Sequence, residues 1–115
     1  MNVEIRVIRG DEIRELVSLV AWLRRERDLQ GVVHPVPRAV GEEELGGSFE
    51  MISVALGAGG FGVALAQSLS TWLANRRSDV KITVTTPGRT VELDAQRVAD
   101  AQALLRDVLR DNYGA

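Results

Sequence analysis

The sequence predicts an α+β domain in which helices cover an antiparallel or mixed sheet and a Gly/Ala-rich central helix is largely buried. Two of the supporting observations are periodic, because aliphatic residues recur at every second position in some segments and at helical spacing in others. The third is size, because 115 residues with 45% hydrophobic content can build one core and leave no room for a second domain. We therefore expect residues 1–115 to form one domain with the order β-α-(β)-α-β-β-α.

The first strand and the first helix are predicted near the N-terminus. Val3, Ile5 and Val7 alternate with charged residues, which is typical of a strand with one solvated face. Asp11 is suited to cap the free N–H groups of a following helix, and Gly31 is predicted to end that helix. The apolar positions of this helix are Ile13, Leu16, Val17, Val20 and Leu23.

A stretch rich in proline, glycine and glutamate follows, and it predicts a short extended piece and a flexible loop at about residues 33–47. Arg38 lies in this loop between Pro37 and Gly41, ahead of a long apolar segment. Exposed loops of this kind are preferred sites of proteolysis. Arg38 is therefore the candidate cleavage site.

Residues 51–75 contain no charged side chain and are rich in Ala, Gly and Leu. They form either one continuous helix or, if the glycines make a turn, a short strand and a shorter helix. As one helix, at about 1.5 Å per residue, the segment would exceed the roughly 30 Å hydrocarbon thickness of a membrane. Polar residues in its second half favour conditional insertion over constitutive spanning. The candidate membrane or assembly segment is defined by Met51, Leu56, Gly57, Gly59, Gly60, Gly62, Leu65, Leu69 and Trp72.

Three glycines of this segment, Gly57, Gly59 and Gly62, spell the G-x-G-x-x-G pattern of dinucleotide-binding sites. Such a site needs an acidic residue at the end of the second strand, but the corresponding strand ends in Thr85 and Thr86. The rest of the chain is too short to complete a doubly wound sheet. We expect no cofactor, and we favour a structural role in which small residues bring a buried helix close to neighbouring backbone.

A β-hairpin and a final helix complete the predicted order. Val80, Ile82 and Val84 alternate with polar residues, and Pro-Gly at residues 87–88 marks the turn. Asp94 is suited to cap the final helix. The apolar positions of that helix are Val98, Ala101, Leu105, Val108 and Leu109.

Composition argues against several classes of function. The 14 basic and 16 acidic residues interleave and give a formal charge of −2, which argues against nucleic-acid binding. The chain has no cysteine and only one histidine, His34, so it lacks thiolate sites and histidine pairs for a metal. Trp22 and Trp72 are predicted to pack in the core. The N-terminus lacks the apolar core of a signal peptide, so we expect a cytoplasmic protein. Because no catalytic constellation is recognisable in the sequence, we also expect that it is not an enzyme.

Four stretches of the chain resemble a family of small bacterial proteins, the effector-associated constant components. They are LRRERDLQG at residues 23–31, GEEELGG at 41–47, LGAGGFGVALAQSLSTWLANRR at 56–77 and VKITVTTPGRTVELDA at 80–95. The resemblance implies a component of bacterial conflict or antiphage immune systems, found mainly in actinobacteria. It also implies a partner, often a trypsin-like or caspase-like protease effector, and no catalytic residues of its own.

Three hypotheses remain open at this point. In the first, the chain is a partner or substrate of a protease effector. In the second, cleavage near Arg38 exposes residues 51–73 for homo-oligomerisation or membrane disruption. The third, a nucleotide-cofactor enzyme using the glycine pattern, ranks last.

Overall fold

The computed structural model describes residues 2–37, 49–56, 61–76 and 79–94, together with residue 103. The elements are β1 (Asn2–Arg9), α1 (Glu12–Arg24), a 3₁₀ turn (Arg27–Leu29), β2 (Val33–Pro37), β3 (Phe49–Ala55), α2 (Phe61–Ala74), β4 (Lys81–Thr86) and β5 (Arg89–Asp94). This order confirms the α+β prediction. The helix predicted after Asp94 lies outside the described residues, except that Ala103 is helical and exposed.

The described strands form one sheet in the order β2-β3-β1-β4-β5, and every neighbouring pair is antiparallel. The first four strands and the two helices have the connectivity of the split βαβ, or ferredoxin-like, arrangement. In this arrangement β1-α1-β2 and β3-α2-β4 interleave, so that β1 lies between β3 and β4. The two halves of the chain therefore share one sheet instead of lying side by side.

One face of the sheet is apolar because the strand registers align the alternating aliphatic residues of β1 with those of its neighbours. Ile5 lies opposite Ile52 on one side and Val84 on the other, and all three are fully buried. Helix α1 packs against β1, β2 and β3 and against α2, while α2 also contacts the 3₁₀ turn. The helices thus cover the apolar face, and the opposite face carries most of the polar strand residues.

The start of α1 agrees with the sequence, but its end and its buried stripe differ. Asp11 caps the helix, and its side chain accepts a hydrogen bond from the Arg14 backbone N–H at 3.2 Å. The helix stops at Arg24, so the prediction that Gly31 ends it is wrong. Gly31, with φ of +81°, instead turns the chain from the 3₁₀ turn into β2.

The predicted apolar stripe of α1 is only partly buried. Ile13 and Val17 are 48% and 47% exposed, whereas the buried residues are Leu16, Leu19, Val20 and Leu23. The stripe is rotated because α1 must contact α2 as well as the sheet. Glu15, Ser18 and Trp22 occupy the flank that faces α2.

The two alternatives for residues 51–75 are resolved in favour of a strand followed by a shorter helix, because β3 ends at Ala55 and α2 begins at Phe61. Val36 and Pro37 belong to β2, which is the short extended piece predicted before the loop. Arg38 and the rest of the predicted loop lie outside the described residues.

Candidate functional site: the interface between the two helices

Helix α2 carries the second half of the candidate membrane or assembly segment, and its apolar face lies in the core. Leu65 and Leu69 are fully buried, Trp72 is 2% exposed, and Gly62 is buried as well. Because Gly62 and the alanines of the helix are small, α2 can approach its neighbours closely. The apolar residues singled out on this helix are therefore part of the protein interior in this conformation.

The two tryptophans join α1 and α2 reciprocally. The indole Nε1–H of Trp22 on α1 donates to the backbone carbonyl of Ser68 on α2 at 2.9 Å. The indole Nε1–H of Trp72 on α2 donates to the Ser18 hydroxyl on α1 at 3.3 Å. Each buried or half-buried indole thus satisfies its polar atom on the opposite helix, as such side chains usually require. This confirms core packing for Trp72 and shows that Trp22 is only partly buried.

Arg76 completes this contact at the end of α2. Its Nη1 atom lies 3.3 Å from Glu15 Oε2 and 3.2 Å from the Ser18 hydroxyl, and its Cζ atom lies 5.0 Å from the centre of the Trp72 ring. The side chains of Arg76 and Glu15 are 29% and 14% exposed, so the ion pair is partly shielded from water. We call Glu15, Ser18, Trp72 and Arg76 the inter-helix cluster. It holds the last turn of α2 against α1 through an ion pair, hydrogen bonds and a cation–π contact.

The inter-helix cluster also contains a buried polar group that lacks a hydrogen-bond partner among the described residues. The Arg76 Nε–H is buried and, within the described part of the chain, has no hydrogen-bond partner. A buried unpaired donor is unfavourable by about 1–3 kcal/mol.

Sequence reasoning missed most of the inter-helix cluster. The available signals were the spacing of Glu15 and Ser18, three residues apart, and of Trp72 and Arg76, four residues apart, which places each pair on one helix face. The pattern shows that each pair shares a face. Only the packing of the helices shows that the two faces meet.

The remaining residues of the candidate segment are separated from this interface. Met51 lies on β3 next to the buried Ile52, so its side chain is on the opposite face of the sheet, half-buried and paired with Val36 of β2. Leu56 is buried after the end of β3. Gly57, Gly59 and Gly60 lie outside the described residues. The segment therefore does not form one continuous surface in this fold.

The setting of the glycine pattern differs from a dinucleotide-binding unit. A strand precedes Gly57, as such a unit requires, and α2 begins at Phe61, so Gly62 lies within its first turn. However, β3 and β4 are not adjacent, since β1 lies between them and is antiparallel to both. The parallel neighbouring strands that create a dinucleotide crevice do not occur among the described strands.

Two further features of the described residues bear on membrane binding and on ligand binding. Neither α1 nor α2 is both long and apolar enough to cross a membrane; α2 spans only 14 residues. A cleft next to the start of α1 is lined by side chains of both charges, among them Asp11, Arg14, Arg76 and Asp79. This mixture favours neither an anion nor a cation.

Comparison with known proteins identifies the family. No curated protein and no solved structure matches the sequence. Residues 9–112 match the family described as Effector Associated Constant Component 1, a description that names an associated component and not a catalytic activity. The match includes both helices, the inter-helix cluster and most of the sheet. The chain therefore belongs to the Effector Associated Constant Component 1 family.

Proposed function

We propose that this protein is a non-catalytic partner and substrate of a protease effector, of the trypsin-like or caspase-like class, in a bacterial conflict or antiphage immune system. The observation that carries the proposal is the family match over residues 9–112, because the family's description names association with an effector and the match spans most of the chain. Within the described residues, the side chains that meet at the helix interface join two helices and do not form a constellation suited to catalysis.

The topology gives a cut after Arg38 a specific consequence. Such a cut follows directly after β2 and divides the chain into one piece with β1, α1 and β2 and another with β3, α2, β4 and β5. Because β1 lies between β3 and β4, the two pieces share one sheet and one core. We expect the nicked protein to stay folded at first, held by strand pairing and by the inter-helix cluster.

Cleavage nevertheless changes the thermodynamics of the fold. Once the chain is cut, separation of the two pieces becomes a dissociation, so the stability of the folded state depends on protein concentration. An effector that cuts the protein can thus convert a stable partner into one that releases its second piece on dilution or on competition by another protein. Release of the second piece can therefore act as a signal, although the protein itself catalyses no reaction.

A second candidate function is membrane disruption after cleavage. The observation that favours it is the apolar buried face of α2, formed by Leu65, Leu69 and Trp72, which would become exposed if α2 left α1. At about 1.5 Å per residue, the 14 residues of α2 extend about 21 Å, less than the roughly 30 Å hydrocarbon thickness. We therefore expect α2 alone to bind at the membrane surface or to act in an assembly.

The experiment that tests both functions is limited proteolysis with trypsin, followed by mass spectrometry, gel filtration and dye release from vesicles that contain anionic lipids. The matched variants are Arg38→Gln, which removes the proposed site, and Arg24→Gln, which removes an arginine at the end of α1. We expect one dominant early cut after Arg38, abolished in the first variant and retained in the second.

The subsequent steps separate the two functions. Nicked protein that elutes intact when concentrated, dissociates on dilution and leaves the vesicles sealed supports the partner function. Dye release that needs the Arg38 cut supports membrane disruption instead. A chain that trypsin does not cut at Arg38 under native conditions would overturn the proposed substrate role.

A further inference from the structure

The two edges of the sheet differ in whether their outward-facing residues carry a backbone N–H group. In an antiparallel sheet, alternate residues of a strand direct their N–H and C=O groups to one neighbour and the residues between them direct theirs to the other side. For β2 this direction is fixed by the hydrogen bond from the Ala55 N–H to the Val32 C=O, at 3.0 Å. By alternation, His34 and Val36 also bond to β3, while Val33 and Pro35 face away from the sheet.

The outer edge of β2 is consequently poor at accepting another strand. Pro35 has no N–H group, and Pro37 at the end of the strand has none either. Proline on an edge strand is a common way to prevent a further strand from pairing. Pro35 is tolerated in β2 because its backbone nitrogen faces away from β3, so that no hydrogen bond between β2 and β3 is lost.

Among the described strands, the outer edge of β5 keeps backbone N–H groups that can pair with another strand. The two-residue turn between β4 and β5 is closed by the pair Thr86 and Arg89, which must therefore exchange hydrogen bonds. By alternation Val91 bonds to Val84 of β4, and the backbone groups of Thr90 and Glu92 point away from the sheet. Both residues are exposed, and within the described residues β5 pairs with β4 alone.

We infer that the β5 edge is a dimerisation surface on which β5 of a second copy of this chain pairs antiparallel, continuing the five-stranded sheet across a two-fold axis. Such an axis runs perpendicular to the sheet, so the helices of both copies lie on the same side. Two-fold dimers of this kind are the commonest form of homo-oligomer. The proposal is independent of the effector and of proteolysis.

The sequence of β5 is compatible with a symmetric antiparallel register centred on Val91. With Val91 opposite Val91 of the second copy, each Thr90 lies opposite Glu92 of the other copy, and each such pair exchanges two backbone hydrogen bonds. Shifting the strands by one pairing step toward Asp94 would place Glu92 opposite Glu92, where like charges destabilise the pairing. The two apolar valines then meet on the face of the sheet that carries the core.

The chain has no cysteine, so a single introduced cysteine reports on this register. In the proposed dimer the two Val91 residues form a non-hydrogen-bonded pair with Cα atoms about 4.5 Å apart, within the range that a disulfide can bridge. The two Glu92 residues are offset along the strand, so their Cα atoms lie beyond the roughly 7 Å limit. We expect Val91→Cys to form a covalent dimer under mild oxidation and Glu92→Cys, the matched control, to do so at least about tenfold more slowly.

A second variant tests the edge without a cross-link. Thr90→Pro removes an outward N–H and leaves every backbone hydrogen bond between β4 and β5 in place; it also removes the exposed hydroxyl that donates to the Thr85 hydroxyl at 3.3 Å. We expect the native protein to be a dimer by light scattering and this variant to be a monomer with an unchanged circular dichroism spectrum. A monomeric native protein, equal cross-linking of the two cysteine variants, or a dimeric Thr90→Pro variant would overturn the proposal. So would a monomer whose binding to a protease effector is lost in Thr90→Pro, because this result would assign the edge to a strand of the effector.

Discussion

The strands β2 and β5 lie at opposite edges of the same sheet, yet their outward-facing residues differ in the backbone N–H groups that they offer to another strand. On β2 a proline occupies a position whose N–H would point outward, and Val33 of the strand is buried in the core. On β5 the outward positions are Thr90 and Glu92, which keep their N–H groups and are exposed. The comparison teaches that the capacity of an edge to accept a partner depends on which alternate residues face outward, since a shift of one residue would put Pro35 against β3.

The largest effect is expected from a comparison of two proline substitutions at neighbouring positions of β5. Val91→Pro removes an N–H that bonds to Val84 of β4 and leaves the partner carbonyl unpaired, so we expect a loss of up to about 3 kcal/mol in the free energy of unfolding. Thr90→Pro removes an outward N–H and an exposed hydroxyl that donates to Thr85 on β4, and we expect a smaller loss of about 1 kcal/mol. Urea denaturation of both variants measures the difference. Equal destabilisation would contradict the assigned direction of the hydrogen bonds.

Truncation of one valine on each edge strand provides a second comparison, for which we expect losses of stability of intermediate size. Val33→Ala in β2 removes methyl groups from a residue that is 4% exposed, so we expect a loss of about 2 kcal/mol. Val91→Ala in β5 affects a half-buried residue, and we expect about 1 kcal/mol or less. Thermal unfolding of the two variants, side by side, measures this ranking. A larger loss at Val91 would show that β5 is the better anchored edge.

The closed edge should open when its proline is replaced. Pro35→Ala restores an outward N–H on β2 and is expected to change stability by no more than about 1 kcal/mol. It should increase self-association, because the new edge can accept another strand. The control is His34→Ala, whose N–H already bonds to β3. Light scattering at increasing protein concentration checks the result, and equal behaviour of the two variants would show that other features close this edge.

The smallest effect is expected at the ion pair that joins β4 and β5 on the polar face. Lys81 Nζ lies 3.9 Å from Glu92 Oε2, and the Glu92 side chain is 61% exposed. Lys81→Ala should therefore lower the free energy of unfolding by less than about 0.5 kcal/mol. Measurement at low and high salt tests the electrostatic origin of the effect, which should vanish at high salt. A loss above 1 kcal/mol, comparable to that at Val33, would mean that the charged side chains and not the core hold β5.

Much of the fold was predictable because it depends on local patterns. The alternation of Val3, Ile5 and Val7 predicted β1, Asp11 predicted the start of α1, and the Pro-Gly turn predicted the hairpin of β4 and β5. The weakest local predictions were the end of α1 and the fate of Ile13 and Val17. They failed because the apolar residues of α1 span more than one flank, and a sequence does not show which flank faces the sheet.

The candidate site was less predictable than the fold. Leu65, Leu69 and Trp72 were identified from the uncharged segment, and the structure places them in the core. Glu15 and Arg76 were not recognised as partners, because they are separated by 61 positions in the chain. Hydrogen bonds between distant residues depend on how the helices pack, and neither composition nor periodicity records that.

The sequence by itself determined the class of elements and their order, because strand and helix periods of about 2 and 3.6 residues are properties of the local backbone. The tertiary structure alone decided that β1 lies between β3 and β4, that two tryptophans join α1 to α2, and that β5 is an edge strand among the described strands. These features arise from pairing between distant segments, where burial of the shared apolar face selects one arrangement among several that the local patterns allow.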